Sequence, residues 1–194
     1  MPHISIISSS VRLGRKSHRV ALYLKTCLHE NNLATTEILD LKEYNFPIFD
    51  ERLSKQKNPS EQALEFAKKI RLSDGIIIVT PEYNGSYPAS LKNSIDLLYD
   101  EWKRKPISLA TVSATVFGGS QVVIQLQSLL WKIGAWTIPE SLSISKVQEV
   151  FDELGNAKDK IEMNKRTDTF IKELLWCIEA KKNALSIEKN LLIT

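Results

Sequence analysis

Short aliphatic runs alternate along this chain with longer segments in which apolar residues recur every three or four positions. The longer segments predict five helices: one at about 17–32, one that begins at 58, one that follows the third strand and ends at about 99, one at 120–134 and one around 170–178. The short runs predict five strands, at 4–8, 35–41, 75–79, 106–113 and 136–144. Strands that alternate with helices need right-handed crossovers, so the pattern predicts an α/β fold with a doubly wound parallel sheet.

Several element ends carry their own signals. Glu37 and Asp40 indicate that the second strand lies toward a sheet edge. Asn58 is predicted to cap the next helix, with Pro59 in its first turn and Glu61 closing a capping box. Pro139 interrupts the fifth strand. We expect a single domain over 1–182, followed by a tail over 183–194 that is prone to fraying.

Polar loops follow strands one, three and four, and we call them the first loop (9–16), the second loop (80–88) and the third loop (114–120). The carboxyl ends of parallel strands meet at one edge of the sheet, where ligands bind in open α/β folds. The three loops therefore predict one binding site.

The first loop resembles an anion site. Ser8, Ser9, Ser10, Arg12 and Ser17 place hydroxyl groups and a guanidinium before a helix N-terminus, where a phosphate can be held. The alternative is a serine-rich turn in which Ser17 is an ordinary helix cap. The chain has neither a Gly-x-x-x-x-Gly-Lys-Ser run nor a Gly-x-Gly-x-x-Gly run, which argues against a nucleotide-hydrolysing P-loop and a dinucleotide-binding turn.

The second loop contains Asn84-Gly85, which can adopt positive φ and turn backbone N–H groups toward a ligand. The alternative is a solvated connection. Glu82 can serve the site or act as a helix-start carboxylate, and Tyr83 can contact a ligand or pack. The large apolar groups of 46–51 indicate contact with a partner, a ligand or the flank of the domain.

Composition narrows the function classes. The chain has 194 residues and a net charge of +3, and Lys103-Arg104-Lys105 reads as a solvated helix end, so we expect no nucleic-acid partner. No apolar run approaches the roughly 20 residues of a membrane span, and no signal-peptide pattern occurs, so we expect no membrane partner and a cytoplasmic location. Cys27, Cys177 and the histidines form no metal-ligand spacing, and both cysteines read as free thiols.

The second loop carries the most specific motif. Thr80 to Asp96 resembles Thr-Pro-Glu-Tyr-Asn-x-Ser-x-Pro-x-x-Leu-Lys-Asn-x-Ile-Asp, the mark of the NAD(P)H-dependent FMN reductases, a family of flavodoxin-like flavoproteins that includes quinone, azo-dye and chromate reductases. Ser9-Ser10-Val11-Arg12 and Ser17-His18 stand in register with the family's first loop. The resemblance covers roughly residues 4–139 and implies a three-layer sandwich with strand order 2-1-3-4-5.

The resemblance also implies roles for individual residues. Ser10, Arg12, Ser17 and His18 would hold the FMN phosphate. The ribityl chain and flavin ring would be flanked by Pro81, Glu82, Tyr83, Asn84 and Gly85, and the other edge of the ring by Ser113, Gly118 and Gly119. No catalytic acid or base is named, because the flavin carries the redox chemistry.

The function implied is an FMN-dependent oxidoreductase that takes hydride from NADPH or NADH and reduces a small-molecule acceptor such as a quinone, a flavin or an azo compound by a ping-pong mechanism. A flavodoxin-like electron carrier and a flavin-binding protein without turnover are the alternatives. Arg12, Arg15 and Lys16 leave the choice between NADPH and NADH open. The resemblance also implies a homodimer or homotetramer in which the 46–51 segment covers part of a neighbouring flavin site.

Overall fold

A computed structural model of the chain describes residues 1–116 and 118–191. The strands are β1 (His3–Ser8), β2 (Thr35–Asp40), β3 (Gly75–Pro81), β4 (Pro106–Val112) and β5 (Trp136–Ile144). The helices are α1 (Ser17–Glu30), α2 (Leu41–Tyr44), α3 (Glu61–Leu72), α4 (Ala89–Leu97), α5 (Ser120–Lys132), α6 (Val147–Val150) and α7 (Lys160–Leu191). Short 3-10 turns occur at Leu53–Lys55 and Asp100–Trp102.

The five strands form one parallel sheet in the order β2-β1-β3-β4-β5. Successive side chains of a strand point to opposite faces, so Ile6 and Ile77 enter one core while Ile7 and Ile76 enter the other. Helices α1 and α7 cover the first face, and α3, α4 and α5 cover the second. The predicted three-layer architecture, the strand order and the edge position of β2 are confirmed.

Two local predictions need correction or refinement. The N-cap of α3 is Ser60, whose hydroxyl accepts the Ala63 N–H at 3.2 Å, so the assignment of this cap to Asn58 is wrong. Strand β5 continues through Pro139, but its pairing with β4 shifts register there: Ile107 pairs with Thr137 and Leu109 with Ser141. A bulge at an edge strand accommodates a residue that lacks an N–H.

The last helix is longer than the sequence pattern indicates. Helix α7 passes Lys182 and continues to Leu191, where we expected a tail. Residues such as Ala, Leu, Lys and Glu have high helix propensity and sustain a helix without an apolar stripe. Residues 192–194 of the expected tail lie outside the described part of the chain. Gly75 admits α7 to the sheet, because a Cβ there would lie 2.6 Å from the Ile178 side chain.

The basic run 103–105 is not uniformly solvated. Lys105 is 5% exposed, and its ammonium donates to the carbonyls of Arg71 at 3.1 Å and Ser73 at 2.5 Å, near the end of α3. Burial and the nearby charge of Lys181 lower the pKa of Lys105 to about 8. Within the described residues, no helix combines the length and the apolarity that crossing a bilayer requires.

Candidate functional site

A cavity of about 590 Å³ opens at the carboxyl edge of the sheet, where the three loops meet. Its volume is in the range of small-molecule sites. The first loop contributes one wall, the second loop another, and the third loop with the start of α5 closes the remaining side. The convergence predicted from the strand pattern is therefore present in the structure.

The N-terminus of α1 is open toward this cavity. Lys16 occupies the N-cap position without a side-chain cap, and the first turn contains no acidic residue. Ser17 is buried and lines the cavity, and its hydroxyl has no hydrogen-bond partner within the described residues. Ser17 is thus not the ordinary helix cap of the alternative interpretation. An unpartnered hydroxyl beside an uncapped helix start fits an anionic group such as a phosphate.

An ion pair between Arg15 and Asp40 attaches the first loop to the end of β2. The guanidinium of Arg15 makes a two-pronged pair with the carboxylate of Asp40 at the end of β2, and it also donates to the Ser10 carbonyl at 2.7 Å. The charge of Arg15 is therefore balanced inside the protein. Arg12 and Lys16 also line the cavity, and neither makes an ion pair within the described residues. These two side chains supply the net positive charge of this wall.

His18 does not reach the cavity. Its Nδ1 lies 3.0 Å from the Ser8 hydroxyl and 3.6 Å from an Asp40 carboxylate oxygen. Burial and the charge of Arg15 lower its pKa, against the smaller opposing effects of Asp40 and Glu43. The imidazole belongs to the support of the first loop, and its side chain is outside the predicted phosphate site.

Tyr83 joins the first and second loops. Its hydroxyl lies 2.6 Å from that of Ser10, and the guanidinium carbon of Arg12 lies 5.5 Å from the centre of its ring. At the cavity wall, the two hydroxyl groups thus form a hydrogen-bonded pair, and the Arg12 cation lies over the face of the Tyr83 ring. Ser10, Arg12 and Tyr83 therefore form one cluster, although Ser10 and Tyr83 lie 73 residues apart in the chain.

The tip of the second loop is a two-residue hairpin. Asn84 and Gly85 both have positive φ, at 51° and 77°, as predicted, and Tyr83 and Ser86 exchange two backbone hydrogen bonds around them. Positive φ at both central residues is the geometry of a type I′ turn, which Asn-Gly favours. Asn84 and Gly85 are not among the residues that line the cavity.

Helix α5 makes hydrogen bonds with the second loop at two places along its length. Glu82 accepts the backbone N–H of Gln121 at 3.1 Å in the first turn of α5, where Gly119 provides no side-chain cap. One turn further, the side chain of Gln125 donates to the Gly85 carbonyl at 2.6 Å and accepts from the Ser86 hydroxyl at 2.6 Å. The helix-start role considered for Glu82 is therefore present, performed for a different helix.

The third loop is compact. The Ser113 hydroxyl bonds Thr115 at its backbone N–H and hydroxyl, both at 2.8 Å. Gly118 and Gly119 have φ of 63° and 80°, and a Cβ at either position would lie 3.1 Å from a side chain of β4 or of the turn after β5. The glycines let the start of α5 approach the sheet closely. Phe117, in the middle of this predicted ligand loop, lies outside the described residues.

The structure brings together most of the predicted site residues. Those that line the cavity are Ser10, Arg12, Ser17, Pro81, Glu82, Tyr83, Ser113 and Gly119, while His18, Asn84, Gly85 and Gly118 do not. The lining residues that were not individually assigned to the site are Gly14, Arg15, Lys16, Val112, Ala114, Thr115, Ser120, Gln121 and Val147. Six of them, Gly14, Arg15, Lys16, Ala114, Thr115 and Ser120, belong to the predicted first and third loops, and Gln121 follows directly in the first turn of α5.

The apolar segment 46–51 serves its own domain in part. Tyr44 and Phe46 pack on Phe66 of α3, with ring centroids 5.2 and 5.3 Å from its ring. Asn93 of α4 fixes the segment by accepting the Phe49 N–H at 2.6 Å and donating to the Pro47 carbonyl at 2.7 Å. Ile48 remains 91% exposed. Packing explains the start of the segment, and its tip is free.

Comparison with known proteins identifies the family of the chain. The family model of NADPH-dependent FMN reductase matches residues 2–149. The chain is 34% identical over 140 residues to the NAD(P)H-dependent FMN reductase LOT6 of Saccharomyces cerevisiae, a match that covers 66% of this chain and 72% of the relative. It is 30% identical over 166 residues to a quinone reductase of Pseudomonas putida, covering 81% and 85%.

Solved structures share the architecture. The flavoenzyme NAD(P)H:(acceptor) oxidoreductase FerB of Paracoccus denitrificans superposes with a TM-score of 0.75 at 24% identity, covering 93% of this chain and 98% of the other. At this identity the likeness shows the fold. The family match and the sequence relatives carry the further conclusion: the chain belongs to the NADPH-dependent FMN reductase family and is a flavin-dependent oxidoreductase.

Proposed function

We propose that the cavity at the carboxyl edge binds FMN with its phosphate at the start of α1. The observation that carries this proposal is the unpartnered Ser17 hydroxyl beside an uncapped helix N-terminus. Arg12 supplies the guanidinium, Ser10 supports it through Tyr83, and His18 contributes its backbone N–H rather than its ring. Arg15 orders the loop, because its charge is already paired with Asp40.

The flavin ring would be held between the second-loop wall and the third-loop wall of the cavity. Pro81, Glu82 and Tyr83 form one wall, and Ser113 with Gly119 forms the other. Asn84, Gly85 and Gly118 act on the ring indirectly, since they shape the loops without lining the cavity.

When bound, FMN would supply the redox chemistry, which is uptake of hydride from NADPH or NADH and delivery of electrons to a second molecule in a ping-pong cycle. The chain binds and orients the reactants, and we assign it no catalytic acid or base. The acceptor is a small oxidant of the quinone, flavin or azo class, a proposal supported by the quinone reductase relative.

An anaerobic absorbance trace tests the activity. The FMN-loaded protein should lose its oxidised flavin band on addition of NADPH or NADH, and the faster of the two identifies the donor. A band that persists until a protein reductase is added would favour an electron carrier. A protein that binds flavin and shows neither reaction would favour a role without turnover.

An Arg12→Ala variant tests the placement of the phosphate. Loss of one charged hydrogen-bond donor should weaken FMN binding by about 2 kcal/mol, or roughly thirtyfold. Because Arg12 is exposed, the free energy of unfolding of the flavin-free protein should stay within about 0.5 kcal/mol of that of the parent. Unchanged FMN affinity would remove Arg12 from the site.

We also propose a homodimer or homotetramer built through the free tip of segment 46–51. The support is the exposure of Ile48 on a segment that Asn93 holds in a fixed shape. An Ile48→Asp variant should dissociate in light scattering after gel filtration, whereas Leu154→Asp, at another exposed aliphatic residue, should not. Equal assembly of both variants would exclude this surface.

A cytoplasmic location completes the proposal. Cys27 and Cys177 are both free thiols, as is usual in a reducing compartment. Fractionation of cells that express the chain tests the location directly.

A further inference from the structure

Gln125 is not among the residues that line the cavity, but it connects the second-loop wall with the α5 wall. Its amide group meets the hairpin at two points, at 2.6 Å from the Gly85 carbonyl and at 2.6 Å from the Ser86 hydroxyl. Tyr83, at the base of the hairpin, lines the second-loop wall, and Ser120 and Gln121 at the start of α5 line the α5 wall. The Gln125 side chain therefore joins the two elements that carry these walls.

The geometry of the amide allows a contact that few side chains could replace. It donates from Nε2 and accepts at Oε1, which matches a carbonyl and a hydroxyl on consecutive residues of a tight turn. Helix α5 is itself held against the sheet, because Gly118 and Gly119 permit close approach and Thr111 donates to the Gly118 carbonyl at 2.7 Å. Gln125 therefore fixes the position of the hairpin relative to the sheet.

We infer that Gln125 is a positioning residue for the flavin: it sets the distance between the Tyr83 wall and the α5 wall of the cavity. This inference rests on the proposed FMN site. Gln125 is not among the residues that line the cavity, and it acts through the hairpin.

Three variants on the same helix test the inference, with FMN affinity measured by the quenching of flavin fluorescence. Gln125→Ala removes both hydrogen bonds. Gln125→Glu keeps the oxygen that accepts from Ser86 but places an acceptor against the Gly85 carbonyl. Gln127→Ala is the matched control, because the Gln127 side chain makes no hydrogen bond within the described residues. At neutral pH we expect about tenfold weaker FMN binding in both Gln125 variants and parental affinity in the control.

Acid pH provides a second readout, which is specific to the hydrogen bond with the Gly85 carbonyl. Below the ordinary glutamate pKa of about 4.3, the carboxyl group that Gln125→Glu introduces is protonated and regains a donor for the Gly85 carbonyl. Gln125→Glu should therefore recover affinity relative to Gln125→Ala. Glu82, which binds the start of α5, and Arg12, which lines the cavity, are common to both variants, so their titration cancels in the ratio. At saturating FMN and neutral pH, the visible circular dichroism of the bound flavin should differ from that of the parent in Gln125→Ala and match it in Gln127→Ala.

The outcomes separate two failures. Parental FMN affinity in Gln125→Ala, together with weak binding in Arg12→Ala, overturns the role of Gln125 and leaves the FMN site in place. Parental affinity in both variants overturns the site and the inference together. Equal loss in Gln125→Ala and Gln127→Ala, without acid recovery in Gln125→Glu, would reduce the effect to general destabilisation of α5 and also overturns the inference.

Discussion

The first and second loops border the same cavity but use their polar groups in opposite ways. In the second loop, the Glu82 carboxylate, the Gly85 carbonyl and the Ser86 hydroxyl are all hydrogen-bonded to α5. Where the first loop leads into α1, the Ser17 hydroxyl lacks a partner in the described residues and the helix start has no side-chain cap. These polar groups of the second loop have hydrogen-bond partners within the protein, whereas the hydroxyl and the helix N-terminus at the end of the first loop await a partner from a ligand.

This difference indicates where binding free energy comes from. Groups already paired within the protein gain little from a ligand, whereas an unpaired buried hydroxyl and an open helix N-terminus gain a partner. The second loop should therefore determine the shape of the site and the first loop its affinity for an anionic group. Changes to the two loops should have separable effects on stability and on FMN binding.

The largest expected effect comes from the support of the first loop. In an Asp40→Ala variant, Arg15 loses its partner while only 13% exposed, and α2 loses the cap that Asp40 provides to Lys42. A buried charge left without its partner should reduce the free energy of unfolding by about 3 kcal/mol in urea denaturation. Asp168→Ala, which breaks the exposed pair with Lys172, should cost less than about 1 kcal/mol.

A double variant sharpens this measurement. Removing Arg15 and Asp40 together leaves no unpaired charge, so the combined loss should be smaller than the sum of the single losses. Strict additivity would show that the ion pair does not hold the first loop.

A smaller effect should distinguish the two loops, because one variant should change mainly FMN affinity and the other mainly the free energy of unfolding. Ser17→Ala removes a buried hydroxyl that has no partner among the described residues, so the flavin-free protein should lose no stability while FMN affinity falls about tenfold. Glu82→Gln weakens the charged bond to the Gln121 N–H, so stability should fall by about 1 kcal/mol with a smaller change in affinity. If both variants changed affinity equally and stability equally, the distinction between the loops would be wrong.

The sequence is most informative where one period governs a whole segment. Buried runs such as 75–79 and helical faces such as that of Phe66 and Ile70 identify the alternating elements, and the convergence of the three loops follows from parallel topology. The motif at 80–96 then identifies the family. These signals are local or follow from general rules of connection.

Pairings between distant segments are the part that could not be predicted. Asp40 reads as an edge-strand carboxylate until the fold brings it to Arg15, and Gln125 reads as a surface residue of α5 until the hairpin folds onto it. Helix α7 extends beyond its predicted end for a different reason: past Lys182 the helix propensity persists after the apolar stripe ends. Tertiary contacts, not residue type, decide the roles of Asp40 and Gln125.

The smallest expected effect concerns His18, which links the start of α1 to the ends of β1 and β2. Burial and Arg15 lower its pKa below the ordinary 6.5, so at mildly acid pH the unfolded chain binds the proton more readily than the folded protein. The free energy of unfolding should therefore fall as pH drops through 6.5, and the loss is complete below the folded-state pKa. Ser8, Arg15, Asp40 and Glu43 are the groups that face this ring or act on its charge, and they remain in a His18→Gln variant. Urea unfolding between pH 8 and pH 5 should show a steeper decline for the parent than for the variant, and parallel curves would mean that the imidazole is no part of the first loop's support.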